Sequence, residues 1–138
     1  LTLAMDPWMM APVLSQPSLP VGPLPALRRG LHASPEVVAA VRQRVEQEGL
    51  KVLGLRFTAD PLCPGARFRE LEKQLGDGFE PIEINSRLGN SHAISPTAHS
   101  VLTTDLVDKA GHPTRQALDR VLAFFRERLH GAVATAGA

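Results

Sequence analysis

Residues 51–85 read KVLGLRFTADPLCPGARFRELEKQLGDGFEPIEIN, and the order of elements within them points to one architecture. The run 51–57 (KVLGLRF) is apolar and β-branched without strict alternation. That pattern suits a strand covered on both faces of a parallel sheet. Residues 64–75 have helical spacing, with Phe68, Leu71 and Leu75 facing inward and Gly76 closing the helix. The run 79–85 (FEPIEIN) reads as a second strand through Phe79, Ile82 and Ile84. Strand, helix, strand in this order is a βαβ unit, which implies parallel pairing under a covering helix.

On the N-terminal side, Ser34-Pro35-Glu36 predicts a helix start: a capping hydroxyl, a proline at the first helical position and an acid in the first turn. Val37, Val38, Val41 and Val45 follow at helical spacing, and Gly49 ends the helix. Upstream, the apolar run 9–15 (MMAPVLS) predicts a short strand with Pro12 at an irregular point. Six of the 12 prolines fall from Pro12 to Pro35, so residues 16–33 read as an extended connection over the surface. A long polar loop spans 86–111. The last helix starts near Pro113, with Ala117, Leu118, Val121, Leu122, Phe125 and Leu129 assigned to one face. Residues 131–138 read as a frayed tail. The expected class is α/β, with about three parallel strands and flanking helices.

Composition narrows the function classes. The 138 residues are 43% apolar and 21% charged, globular values that exclude disorder, collagen and coiled coil. With 15 basic and 14 acidic side chains there is no cationic excess of the kind a nucleic-acid surface needs. The apolar opening 1–14 is interrupted by Asp6, Pro7 and Pro12 and has no basic residue before Arg28. It reads neither as a membrane span nor as a secretory signal. One Cys excludes an internal disulfide and suits a reducing, cytoplasmic setting.

In open α/β sheets functional groups gather beyond the carboxyl ends of the strands. Asp60 follows the strand 51–57, and His92 lies in the loop after 79–85, so parallel pairing would bring their loops side by side. A carboxylate that accepts the imidazole Nδ1–H makes histidine a general base. Each residue also has a plainer reading, Asp60 before Pro61 as a turn residue and His92 as a solvated loop histidine. His99 is the rival base, seven residues on. Ser15 and Ser18 are placed at a strand end as pocket-lining residues, not nucleophiles. Arg56 reads either as a pocket residue meeting an anionic group or as a buried guanidinium with a structural partner. Cys63 reads as a filler at a helix start. His92, His99 and His112 have no recognised metal-ligand spacing.

The stretch VLGLRFTADPLCPGARFRELEKQLGDGFEPIEINSRLGNSHAI, with the later RQALDRVLAFFRERL, resembles the second half of the dienelactone hydrolase family. In that family a G-x-x-D-P-x-x-P segment carries the triad acid, matched here at Ala59-Asp60-Pro61 and Pro64. A G-x-x-H-[AG]-[FI] loop carries the base, matched at Gly89, His92, Ala93 and Ile94. The resemblance implies that residues 1–130 are the C-terminal part of one three-layer α/β-hydrolase domain. It implies a small ester or lactone substrate, a Cys- or Ser-His-Asp triad, and neither cofactor nor metal. The family's G-x-C-x-G nucleophile elbow, or G-x-S-x-G in relatives, occurs nowhere in the sequence. The expectation is therefore a chain that begins after its nucleophile and is inactive alone. The alternatives are a non-enzymatic binding module, or half of a split hydrolase whose N-terminal partner fragment supplies the nucleophile.

Overall fold

The structure, a computed structural model, describes residues 1–130; the tail expected over 131–138 lies outside the described residues. Strands β1 (Val13–Ser15), β2 (Val52–Phe57) and β3 (Phe79–Ile84) form a parallel sheet in that spatial order. Helices α1 (Pro25–Arg29), α2 (Pro35–Glu48), α3 (Gly65–Leu75) and α4 (Pro113–His130) connect and cover it. Val13 pairs with Leu53, Val52 with Phe79 and Phe57 with Ile84, so all three strands end at the same edge.

Every residue of β2 is buried, which explains its continuous apolar run. The two faces separate cleanly. Val52 and Phe79 pack with Val41 of α2, Leu50, Cys63, and Phe68, Leu71 and Leu75 of α3. Leu53, Leu55, Phe57 and Ile84 pack on the opposite face with Ala117, Val121 and Phe124 of α4 and with Ala98 and Val101 of the long loop. Gly54 sits where a Cβ would lie 2.5 Å from the Phe79 ring, so the aromatic edge occupies the space a side chain would take. The chain is thus an α/β protein with a small parallel sheet and helices on both faces.

The capping readings of α2 hold: the Ser34 hydroxyl accepts the Val37 N–H at 3.4 Å, and Gly49 closes the helix at φ 65°. Three expectations change. The strand expected over 9–15 is only Val13–Ser15. Pro12 gives its carbonyl to Leu53 N–H at 3.0 Å but has no N–H to continue the ladder. Residues 4–9 instead turn around the buried Arg44, whose guanidinium donates to the carbonyls of Ala4, Asp6, Pro7 and Met9 at 2.6–3.3 Å.

The connection 16–33 stays at the surface, with none of its residues buried, but it is not extended throughout, because it contains the short helix α1. It is tied down by the buried Arg67 of α3. On α4 the buried stripe is Thr114, Ala117, Val121 and Phe124. Leu122 and Leu129, expected on the inward face, are exposed, because the sheet takes the neighbouring stripe of the helix.

Candidate functional site

The site is built where β2 and β3 end together. Thr58 N–H donates to Ile84 O at 2.9 Å, extending the ladder one step beyond the strands. Two side chains then fasten the following turns to each other. Ser86 Oγ accepts the Ala59 N–H at 3.0 Å, and Thr58 Oγ1 accepts the Ser86 N–H at 3.1 Å. Ser86 is fully buried, so this pairing is shielded from water.

Asp60 follows directly and is 3% exposed. Its Oδ1 accepts the Leu62 N–H at 2.9 Å, which fixes the carboxylate plane. Its Oδ2 lies 2.6 Å from Nδ1 of His99. The His99 side chain is 31% exposed, so one edge of the imidazole is fastened to a buried acid while the ring still reaches solvent. That is the geometry of an oriented acid–base pair: the carboxylate selects the Nδ1–H tautomer and leaves the Nε2 lone pair available.

The histidine placed beside Asp60 from sequence, His92, is elsewhere. Asn90 folds the 87–94 segment on itself. Its Oδ1 accepts the N–H groups of His92 and Ile94, and its Nδ2 donates to the carbonyls of Arg87 and Ile94. This turn leaves His92 exposed, with its ring 5.3 Å from that of His112. His99 reaches Asp60 because the next turn is anchored on both sides, by Ala98 at 3% and Val101 at 0% exposure. The signal for this was present in Ala98-His99-Ser100-Val101, a histidine set between two small apolar residues within a polar loop.

The other expected site residues make no hydrogen bond to Asp60 or His99. Arg56 is buried, and its guanidinium donates to the carbonyls of Cys63 and Thr58 and pairs with Glu83. It sits 5.7 Å over the Phe68 ring, so the pocket-lining reading gives way to a structural one. The Ser15 hydroxyl bonds the Gln16 side chain, and Ser18 Oγ donates to the Gln16 carbonyl at 3.3 Å. Ser18 borders a largely apolar groove between the N-terminal turn and the 16–33 connection, and neither Asp60 nor His99 lines that groove. Cys63 is fully buried, and burial pushes its thiol up to about 11, so it is no nucleophile at neutral pH. Among the described residues no three His, Cys, Asp or Glu side chains are arranged to hold a metal ion. No described helix is long and apolar enough to cross a membrane.

His112 has a structural task at the start of α4. Its Nδ1 accepts the Thr114 N–H at 3.3 Å and lies 2.7 Å from the Thr114 hydroxyl, which in turn accepts the Val107 N–H. Burial, then the nearby His92 and Lys109, lower its pKa from the ordinary 6.5. The unfolded chain therefore takes up this proton more readily than the folded one. The stabilisation is complete above about pH 6.5 and is lost as pH falls from there through the folded-state value. Urea unfolding followed against pH is expected to show an acid-side loss that shrinks in His112→Gln, whose amide oxygen accepts without titrating. An unchanged pH profile in that variant would remove His112 as the cause.

In comparisons with protein-family models, curated proteins and solved structures, the chain matched none. What fold and site define is therefore a class: an α/β protein with a carboxylate–imidazole pair at the carboxyl edge of a parallel sheet.

Proposed function

We propose that the chain supplies the acid and the base of a dienelactone-hydrolase-like ester or lactone hydrolase, with Asp60 as the orienting acid and His99, not His92, as the base. The observation that carries this reading is the 2.6 Å contact of a buried carboxylate with Nδ1 of a part-exposed imidazole, placed beyond the ends of parallel strands. In the proposed reaction Nε2 of His99 takes the proton of a Cys thiol or Ser hydroxyl as that group attacks the acyl carbon, then returns it to the leaving group. Asp60 holds the tautomer and stabilises the imidazolium. The chain contains neither G-x-C-x-G nor G-x-S-x-G, so the nucleophile belongs to a segment outside this sequence, whether on the same polypeptide or a partner. A reducing, cytoplasmic setting suits the single buried thiol.

The test begins with the coding sequence ahead of Leu1. An in-frame nucleophile elbow is expected, and the longer polypeptide is expected to hydrolyse p-nitrophenyl acetate. Asp60→Asn and His99→Ala should each lower that rate by on the order of 10⁴-fold, as for a misoriented or missing triad base. His92→Ala should leave it near the parent value. Retention of activity in His99→Ala with loss in His92→Ala would overturn the assignment.

A further inference from the structure

The two halves of the pair are held by different means. Asp60 stands one turn beyond β2, locked by the sheet and by the Leu62 N–H. His99 stands within the long connection between β3 and α4, which contains neither strand nor helix among the described residues. Something in that connection must fix the backbone of residue 99, or the imidazole would sample many orientations.

We propose that Asp105 is the positioning residue for His99. This rests on the reading of Asp60 and His99 as an acid–base pair. A single oxygen, Oδ2 of Asp105, accepts the N–H of His99 at 2.9 Å and the N–H of Ser100 at 2.8 Å. The Asp105 N–H donates back to the Ser100 carbonyl at 3.1 Å, and the Thr103 N–H donates to the same carbonyl at 3.3 Å. Residues 99–105 thus close into a ring on one carboxylate. Hydrogen bonds to an ionised acceptor are roughly twice as strong as neutral ones, and two converging on one oxygen restrict both peptide planes. Ala98 and Val101 seat the ring in the α4-side core, which sets its position, while Asp105 sets the direction in which residue 99 leaves it. The carboxylate makes no contact with the imidazole ring nitrogens, so it acts through the backbone.

The test uses the 138-residue chain and the Nδ1–H proton of His99, read by NMR with ¹⁵N-labelled histidine. The parent is expected to show this proton far downfield of the amide envelope, lost in Asp60→Ala. Asp105→Ala is expected to lose it while the methyl resonances of Val121 and the ring signals of Phe124 keep their folded positions. Asp105→Asn is expected to restore it, since one amide oxygen can still accept both N–H groups. Persistence of the proton in Asp105→Ala, with its loss in Asp60→Ala, would overturn the positioning role and leave the pair intact. Its absence in the parent, or survival in Asp60→Ala, would overturn the pair itself. Collapse of the Val121 and Phe124 signals in Asp105→Ala would make Asp105 a general stabiliser and equally overturn the assignment.

Discussion

Arg67→Met is expected to destabilise the chain by about 3 kcal/mol or more in urea unfolding, since each buried acceptor left unpaired costs about 1–3 kcal/mol and some carbonyls regain water. Arg67 is 1% exposed, and its guanidinium uses all five N–H donors on backbone carbonyls. Nε donates to Gly30 at 2.7 Å, Nη1 to Pro17 at 2.6 Å and Leu62 at 3.1 Å, and Nη2 to Pro20 at 2.5 Å and Leu27 at 3.2 Å. Four of these carbonyls belong to the 16–33 connection and the fifth to the turn after Asp60. One side chain therefore ties the proline-rich segment to the site. Prolines cannot donate to a ladder, so this segment satisfies its backbone by offering carbonyls to a cation. Arg67→Lys should recover only part of the loss, because an ammonium has three donors and no planar fork. Limited proteolysis should locate the damage: cleavage within 17–30 is expected to precede global unfolding in Arg67→Met. A variant as stable and as protease-resistant as the parent would show that water replaces the guanidinium without cost.

The same residue shows where reading the sequence runs out. The βαβ core was legible because its rules are local: a continuous apolar run in 52–57, a capped helix after Ser34, and valines three and four apart. Arg44 and Arg67 were invisible. Each looks like a solvated arginine on a helix, and all but one of the carbonyls that bury the two lie 35–50 residues away in sequence. Asp60 was legible because it sits at a fixed offset from a strand end. The choice between His92 and His99 was not, because both lie in the same polar loop. It turned on the Asn90 turn, on Asp105 and on the buried Ala98 and Val101, none of which has a periodic signature. A loop histidine is placed by the anchors around it, and the short motif from Gly89 to Ile94 contains none of those that hold His99.

Phe124→Ala is expected to cost about 3–5 kcal/mol, the range for removing a buried aromatic ring from a packed core. Phe124 is 1% exposed and belongs to the cluster that joins α4 to Leu53, Leu55 and Phe57 of β2. Arg120, two hydrogen bonds deep in an ion pair with Glu80 of β3, also lies 5.8 Å over its ring. Loss of the ring therefore opens a cavity and removes the flat surface on which that guanidinium rests. Leu122, two residues earlier, is 40% exposed, and Leu122→Ala is expected to stay within about 0.5 kcal/mol of the parent, as surface substitutions do. The pair is diagnostic because the apolar pattern of the helix favours Leu122 while the packing favours Phe124. Urea midpoints for the two variants decide between them. A larger loss for Leu122→Ala would mean that α4 is rotated on the sheet, and with it the Ala98 and Val101 anchors that carry His99 to Asp60.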